Sequence, residues 1–411
     1  MVKKSVDQID ARGKRVLVRL DLNVPLDGAG GIADDKRIVA ALPTIKRLID
    51  DGGRVVLMSH LGRPMGEPED RRRFSLAPVA KRLSELLGRP VKMMSDCIGE
   101  TVRAHVGAMT DGDVCLLENL RFHTGETIKD KNADTDAALR TIKDHFAAAL
   151  ASLGDAFVND AFGTCHRDNA SMVTLPKMMQ GKPRVVGYLV QKELRFLGEA
   201  VADPARPFVC ILGGAKVSGK LEVIHSLLKK CDTILVGGAM ANTFLAAEGQ
   251  PVGASLVEPD LFETARELRA EAGGRLRVPV DTVAAAEIRE GIETRICEGS
   301  IPDGLMALDI GPSTVAAYED VIATAKTIVW NGPMGVFETS PFDAGTIAIA
   351  QAVAAATDRG AVTVIGGGDS AAAVAKTGLT NRMTHVSTGG GASLEFLEGK
   401  AFEAINVLDD A

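Results

Sequence analysis

Aromatic residues are scarce in this chain: Phe, Tyr and Trp make up 4% of 411 residues, with a single Trp and two Tyr. A surface built to stack bases needs more aromatic faces than that. A basic excess is missing too. Lys and Arg number 47 against 54 Asp and Glu, for a formal net charge of −7. Phosphate backbones demand a basic face, so no nucleic-acid partner is expected. No apolar run is long enough to cross a bilayer: the longest, from Gly345 to Thr357, is broken by Gln351, so no membrane partner is expected either. The opening MVKKSVDQIDARGKRV lacks the apolar centre of a secretory leader. Six cysteines, at 97, 115, 165, 210, 231 and 297, form no CxxC pair and have no nearby His at metal-binding spacing. Several lie in apolar runs such as VCLLE and FVCIL, which predicts buried thiols in a reducing, cytoplasmic setting.

Glycine, at 43 residues, is plentiful, and short β-branched runs alternate with helix-period segments throughout. That alternation is the signature of βα units and parallel sheets. Strands are expected at 15–20, 54–59, 91–94, 113–118 and 155–160, and then at 208–212, 233–238, 276–281, 304–311, 327–332, 362–368 and 384–388. Helices are expected at 77–87 and 220–231. Between the halves lies VVGYLVQKELRFLGEAVADP, in which Val186, Val190, Leu194 and Leu197 share one helical face and Pro204 and Pro207 follow. The length exceeds what one core sustains. The expected fold is therefore α/β: two Rossmann-like lobes, each a parallel sheet flanked by helices, joined by an interdomain helix. The boundaries are 1–185 for the first domain, 186–204 for the helix and 205–392 for the second domain.

Ligands of open α/β sheets bind beyond the carboxyl ends of the strands, so the loops after the strands are where chemistry is expected. In the first half those loops carry Asn23, Arg37, His60, Arg63, Arg121 and Arg167. Any one alone reads as ordinary surface. Their recurrence along one sheet edge of an acidic protein predicts an anion site, because the planar guanidinium binds phosphate or carboxylate oxygens in pairs. Arg71, Arg72 and Arg73 form a run in a polar loop and read as a solvated face.

The second half carries glycine instead. GGAKVSGK (213–220) follows an expected strand and opens a helix, matching G-x-x-x-x-G-K from Gly214, but Leu221 stands where a P-loop needs a hydroxyl for its metal. What remains is a close-approach turn, a helix start that favours anions, and point charge from Lys216 and Lys220. GGGDS (366–370) with Ala371 imitates a dinucleotide fingerprint, which would suggest an NAD-dependent dehydrogenase. The next strand, however, runs into Gly389, Gly390 and Gly391 with no acid for a ribose before Glu395. Asp369 beside a phosphate-binding helix start suits Mg²⁺ shared with nucleotide phosphates; its plainer reading is a helix cap.

These segments resemble phosphoglycerate kinases along nearly the whole chain. The matching strings are DLNVP, KRIVAALPTI, HLGRP, ENLRFH, VNDAFGTCHRD, GGAKVSGK, GGAMANTFL, VWNGPMGVFE, GGGDS and STGGGASLE. The resemblance implies a first lobe for 3-phosphoglycerate or 1,3-bisphosphoglycerate, a second for Mg²⁺ with ADP or ATP, a C-terminal tail from about 393 to 411 packed back on the first, and a monomer that bends at a hinge. It implies Asp21, Asn23, Arg37, His60, Arg63, Arg121 and Arg167 around the glycerate, with Arg37 nearest the moving phosphoryl group. Arg37, Lys216 and Lys220 are then the catalytic set, and Asp369 holds the metal. Nucleotide contacts fall to Lys220, Gly238, Gly311, Asn331, Glu338 (on the ribose), Gly367, Gly368, Asp369 and Ser370. Two departures stand out: Ser370 replaces the family's usual Thr, and the segment from Glu126 to Leu150 is longer than the resemblance implies.

The chemistry agrees with this. In the reverse direction the acceptor is a carboxylate, already ionised at neutral pH, so no general base is needed and none of the alcohol-kinase type is found. Besides the dehydrogenase, the other reading is a non-catalytic scaffold that keeps the fold. Retention of every cation and of Asp369 speaks against it.

Overall fold

The computed structural model describes residues 2–411; Met1 and the side chains of residues 199–202 lie outside the description. The chain forms two compact units, Met1–Glu193 with Ala401–Ala411, and Leu194–Lys400.

The first unit is built on six parallel strands: β1 (Arg15–Leu20), β2 (Arg54–Met58), β3 (Lys92–Met93), β4 (Val114–Leu116), β5 (Ala156–Asp160) and β6 (Arg184–Val186), in the order β3-β4-β2-β1-β5-β6. Helices cover such a sheet on both faces, so its central strands read as continuous apolar runs. β1 obeys with Val16, Leu17, Val18 and Leu20 fully buried, and breaks the rule once, at Arg19. The helix Lys36–Asp50 packs Ile38, Ala41, Leu42, Ile45 and Leu48 into this core. Each such Leu, Ile or Val contributes about 1.5–3 kcal/mol by leaving water. The tail from Ala401 is fastened here: Lys3 pairs with Asp410 at 2.8 Å, and Arg184 Nε and Nη2 donate to Asp409 at 3.1 and 2.8 Å. Residues Gly391–Leu397 form a helix within the second unit.

The second unit holds β7 (Phe208–Leu212), β8 (Thr233–Val236), β9 (Leu276–Arg277), β10 (Asp281–Ala285), β11 (Arg295–Glu298), β12 (Met306–Ile310), β13 (Thr327–Asn331), β14 (Val362–Gly366) and β15 (His385–Val386). Six of them make a parallel sheet, β15-β14-β13-β7-β8-β9, and three make a small antiparallel sheet, β11-β10-β12. The long Ala-rich stretch is the helix Ala344–Asp358, whose Ile349, Ala350, Val353 and Ala354 are buried in the core. Among the described residues no helix is long and apolar enough to cross a membrane, and all six cysteines are free and buried.

Most expected strands are present, some shortened by one to three residues. The exceptions have physical causes. Val186 does not begin the linking helix: it ends β6, pairing with Asn159. The helix starts at Tyr188, where the Asp160 carboxylate accepts from Leu189 N at 2.8 Å and Val190 N at 3.1 Å. Gly187 makes the corner, since a Cβ there would sit 2.3 Å from the Asp160 carboxyl carbon. The stretch 276–281 is not one strand, because Pro279 separates β9 from β10. β11 went unpredicted because three of its four residues are exposed and give no apolar pattern.

Candidate active site

The cations foreseen in the first unit do gather at the carboxyl ends of its strands. Asp21 and Asn23 follow β1, His60 and Arg63 follow β2, Arg121 follows β4, and Arg167 follows β5. Arg37 projects from the first turn of Lys36–Asp50 and donates to Asp21 at 2.6 Å. Asn23 Oδ1 accepts from Gly62 N at 2.8 Å, and Arg121 Nη1 donates to Gly62 O at 2.6 Å, so three loops are tied at one glycine. Their proximity shows in the charges. His60 is pushed well below its ordinary pKa by burial and then by Arg19, Arg121, Arg37 and Arg167. Arg121 is lowered to about 10 by burial and by Arg167 and Arg19. Positive charge is crowded here, and an entering anion relieves it. Arg63 and Arg167 are exposed, and their side chains make no hydrogen bond among the described residues. Arg71, Arg72 and Arg73 are exposed, as expected of a solvated run.

The layer beneath these loops was not foreseen. Arg19 is 1% exposed and Glu126 0%, and they face each other at 3.9 Å. Asn119 holds two loops together, donating to Leu61 O at 2.7 Å and Phe74 O at 2.9 Å while accepting from Arg121 N at 3.1 Å. Lys143, fully buried, donates to Asp168 O at 2.6 Å and Asp130 Oδ1 at 2.8 Å. Glu126, Asp130 and Lys143 all belong to the unexpectedly long segment, which folds as short helices Thr124–Thr127 and Asp130–Ala133 and a longer one, Ala137–Ala151. The extra length thus supports the Arg167 loop. The one sequence signal for this layer was a charged residue inside the apolar run VLVRL.

Asp96, Cys97 and His123 bring one potential metal ligand each within 4.8 Å of one another. The Cys97 thiol, however, donates to Glu118 O at 2.9 Å, and burial with Asp96 and Glu118 nearby raises its pKa well above normal. His123 Nε2 and Asp96 Oδ1 are already hydrogen-bonded to each other at 2.6 Å. The cluster is a hydrogen-bonded brace for the ENLRFH turn.

In the second unit backbone replaces side chains. Gly213 ends its strand against the turn after β13, donating to Asn331 O at 2.9 Å; a Cβ on it would lie 1.9 Å from Pro333 O. Gly238, with φ +64°, starts the helix Ala239–Ala247, and its Cβ would meet Gly214 N at 2.6 Å. Gly311 starts Pro312–Thr324 and Gly367 starts Gly368–Lys376. Several helix N-termini therefore open at one end of this unit, where backbone N–H groups favour anions. Lys220, at the N-cap of Leu221–Leu228, donates to Gly213 O and to Asn331 O (3.0 Å). Burial lowers its pKa to about 8 against the opposing pull of Asp369. Lys216 is exposed in a loop pinned by Glu258, which accepts from Val217 N at 2.6 Å. Ser370 is buried, its Oγ accepting from Gly332 N at 2.5 Å. Asn331 Nδ2 is buried without a hydrogen-bond partner among the described residues, beside Gly367. Asp369 is exposed, and its carboxylate does not cap the helix: the N-cap is Gly367, and among the described residues no hydrogen bond reaches the Asp369 carboxylate. Glu338 is exposed in the turn after Phe337.

The sequence profile of the family described as phosphoglycerate kinase matches residues 6–400. Curated relatives named phosphoglycerate kinase are 53% identical in Rhodopirellula baltica and 54% in Chlorobaculum tepidum, each alignment covering 100% of both chains. The solved phosphoglycerate kinase of Coxiella burnetii superposes with a TM-score of 0.85 at 40% identity, covering 98% of each chain. That of Pyrococcus horikoshii superposes at 0.82 and 32% identity, covering 99% of this chain and 98% of the other. Neither the dehydrogenase nor the scaffold reading is favoured by such relatives. Full-length identity above one half, with the same two sheets, places the chain in the phosphoglycerate kinase family, as an enzyme of the kinase class.

Proposed function

We propose that this chain catalyses reversible phosphoryl transfer from 1,3-bisphosphoglycerate to ADP, yielding 3-phosphoglycerate and ATP, as a cytoplasmic monomer. The observation that carries the reading is the contrast between the sites: cations converge at the sheet edge of the first unit, while close-packed glycine turns and Lys220 mark the second. Asp21, Asn23, Arg37, His60, Arg63, Arg121 and Arg167 take the glycerate ligand. Lys220, Gly238, Gly311, Asn331, Glu338, Gly367, Gly368, Asp369 and Ser370 take the nucleotide.

Asp369 suits Mg²⁺, which is held by one or two carboxylates together with substrate phosphates and water. It is exposed, free of protein hydrogen bonds and on a helix's first turn, and the orphaned Nδ2 of nearby Asn331 leaves a donor for an anionic oxygen. When bound, Mg²⁺ neutralises charge on the nucleotide phosphates. The protein's own part is positioning and positive charge. Arg37 leaves Asp21 to meet the developing charge, and Lys216 and Lys220 meet it from the nucleotide side. In the forward direction the glycerate carboxylate leaves as ADP attacks; in reverse it attacks the ATP γ-phosphorus as ADP leaves, with no proton to remove. The attacking oxygen must come within about 3 Å of the phosphorus with water excluded, so the two ligand sites close on one another by hinge bending.

A coupled assay with 3-phosphoglycerate and Mg-ATP tests the proposal. Turnover should appear, vanish with EDTA and return with excess Mg²⁺. Asp369→Ala should lose about 99% of the rate at millimolar Mg²⁺. Near-normal turnover in that variant would place the metal elsewhere.

A further inference from the structure

The most buried charges in the first unit lie directly under its anion site and have no part in the reaction as described above. Arg19 Nε donates to Ser171 Oγ at 2.9 Å, and its Nη1 donates to Leu20 O. Ser171 Oγ in turn donates to Glu126 Oε1 at 2.7 Å, and Ser171 N donates to Glu126 Oε2 at 2.9 Å. The remaining terminal nitrogen, Arg19 Nη2, lies 3.3 Å from His60 Nδ1. A guanidinium has five donors and no acceptor. The imidazole nitrogen facing it must therefore be the unprotonated one, so the ring proton sits on Nε2. No protein group among the described residues takes that proton.

We infer that Arg19, Ser171 and Glu126 act as a positioning relay that fixes His60 as a neutral Nε2–H donor to an anionic oxygen of the phosphoglycerate ligand. The inference rests on the assignment of that ligand to the first unit. The alternative, an imidazolium adding one more charge to the basic site, would set an N–H against the Arg19 N–H. Its environment also disfavours charging: burial and the fields of Arg19 on β1, Arg37 on the helix Lys36–Asp50, and Arg121 and Arg167 on two further loops all push the imidazole towards neutrality. Glu126 makes the arrangement tolerable. Its carboxylate compensates Arg19 in a place where an unpaired guanidinium would be strongly unfavourable, and Ser171 relays that pairing, its hydroxyl accepting from Arg19 Nε and donating to Glu126 Oε1. The first unit thus binds its anion with arginine charge at the rim and one neutral, oriented donor at the floor. Neutrality has a use, because the donor stays the same across the range in which an ordinary histidine changes charge.

The test is ring-nitrogen NMR on the ligand-free, ¹⁵N-histidine-labelled full chain, with His60 identified by the signal missing in His60→Gln. The expected spectrum shows protonated Nε2 and bare Nδ1, unchanged between about pH 5 and 8. A protonated Nδ1, or an imidazolium forming in that window, would overturn the inference. Calorimetry with 3-phosphoglycerate adds a second readout. A Gln side chain can place an N–H where Nε2–H stands, whereas Asn reaches only the Nδ1 position. His60→Gln should bind within about threefold of the wild type, and His60→Asn about tenfold or more weaker. Equal loss in both would also overturn it. Ser171→Ala, which leaves every charge in place, should let the His60 ring sample the second tautomer and raise KM for 3-phosphoglycerate with kcat little changed; an unaltered ring would count against the relay. Should the wild type bind ADP but not 3-phosphoglycerate, the ligand assignment fails, while the tautomer measured without ligand stands or falls by itself.

Discussion

The two units are built alike, six parallel strands each, yet they handle negative charge by opposite means. In the first, the proposed ligands are long cationic side chains, and the crowded cations are compensated by carboxylates: Glu126 for Arg19, Asp130 for Lys143, Asp21 for Arg37. In the second, the proposed binding elements are turns and helix starts, and what they need is room. Gly213, Gly238 and Gly332 each sit where a Cβ would fall within 2.6 Å of neighbouring backbone. Side-chain sites are therefore fragile to loss of charge partners, and backbone sites are fragile to the addition of a single carbon.

Three perturbations sharpen the contrast. The largest effect belongs to Arg37→Ala. Its guanidinium is held by Asp21, and under the proposed mechanism it is freed to act on the moving phosphoryl group. Steady-state kinetics should show kcat reduced by roughly a hundredfold or more, with calorimetric binding of either ligand nearly unchanged. A mutant that loses only affinity would make Arg37 an ordinary binding residue.

Next comes Gly213→Ala, which drives a methyl group against Pro333 O at 1.9 Å, a backbone atom with little freedom to retreat. Overpacking of this kind costs about 2–3 kcal/mol. Urea denaturation should show a lower midpoint, and ADP binding should weaken while 3-phosphoglycerate binding persists. Wild-type ADP affinity would mean the turn is looser than it looks.

The smallest effect is a pH dependence confined to the second unit. Lys220, lowered to about 8 by burial, loses its charge as pH rises through that value in the free protein. Bound phosphates favour the charged form, so above pH 8 binding must draw a proton from solution. ADP affinity should fall about fivefold from pH 8 to 9, with proton uptake visible in buffers of different ionisation heat. Binding to the first unit should stay flat over that range, since its arginines remain charged. A flat ADP profile would show that Lys220 is not the group meeting the phosphates.

Much of this division was legible in the sequence, for a plain reason. Residues after strands are read directly from strand positions, and Asn23, His60, Arg121 and Arg167 fell where the loops put them. Apolar runs such as VLVRL and FVCIL announced central strands because parallel sheets bury both faces. The supporting layer was not legible. Arg19 was one charge in an apolar run, and its partners Glu126 and Ser171 are 107 and 152 residues away along the chain; only tertiary packing brings them together. Val186 was misread because an apolar residue at a helical interval cannot reveal that a glycine corner intervenes. The capping alternative for Asp369 was settled only by geometry, with Gly367 as the cap and the carboxylate without a hydrogen bond among the described residues.

The central claim is that glycerate and nucleotide belong to different units, and one calorimetric comparison tests it. Arg167 is exposed, makes no side-chain hydrogen bond among the described residues, and can be removed without disturbing the core. Arg167→Ala is titrated separately with 3-phosphoglycerate and with Mg-ADP. The account predicts 3-phosphoglycerate binding about tenfold weaker or more, and Mg-ADP binding indistinguishable from the wild type. Loss of Mg-ADP affinity with 3-phosphoglycerate binding intact would contradict it.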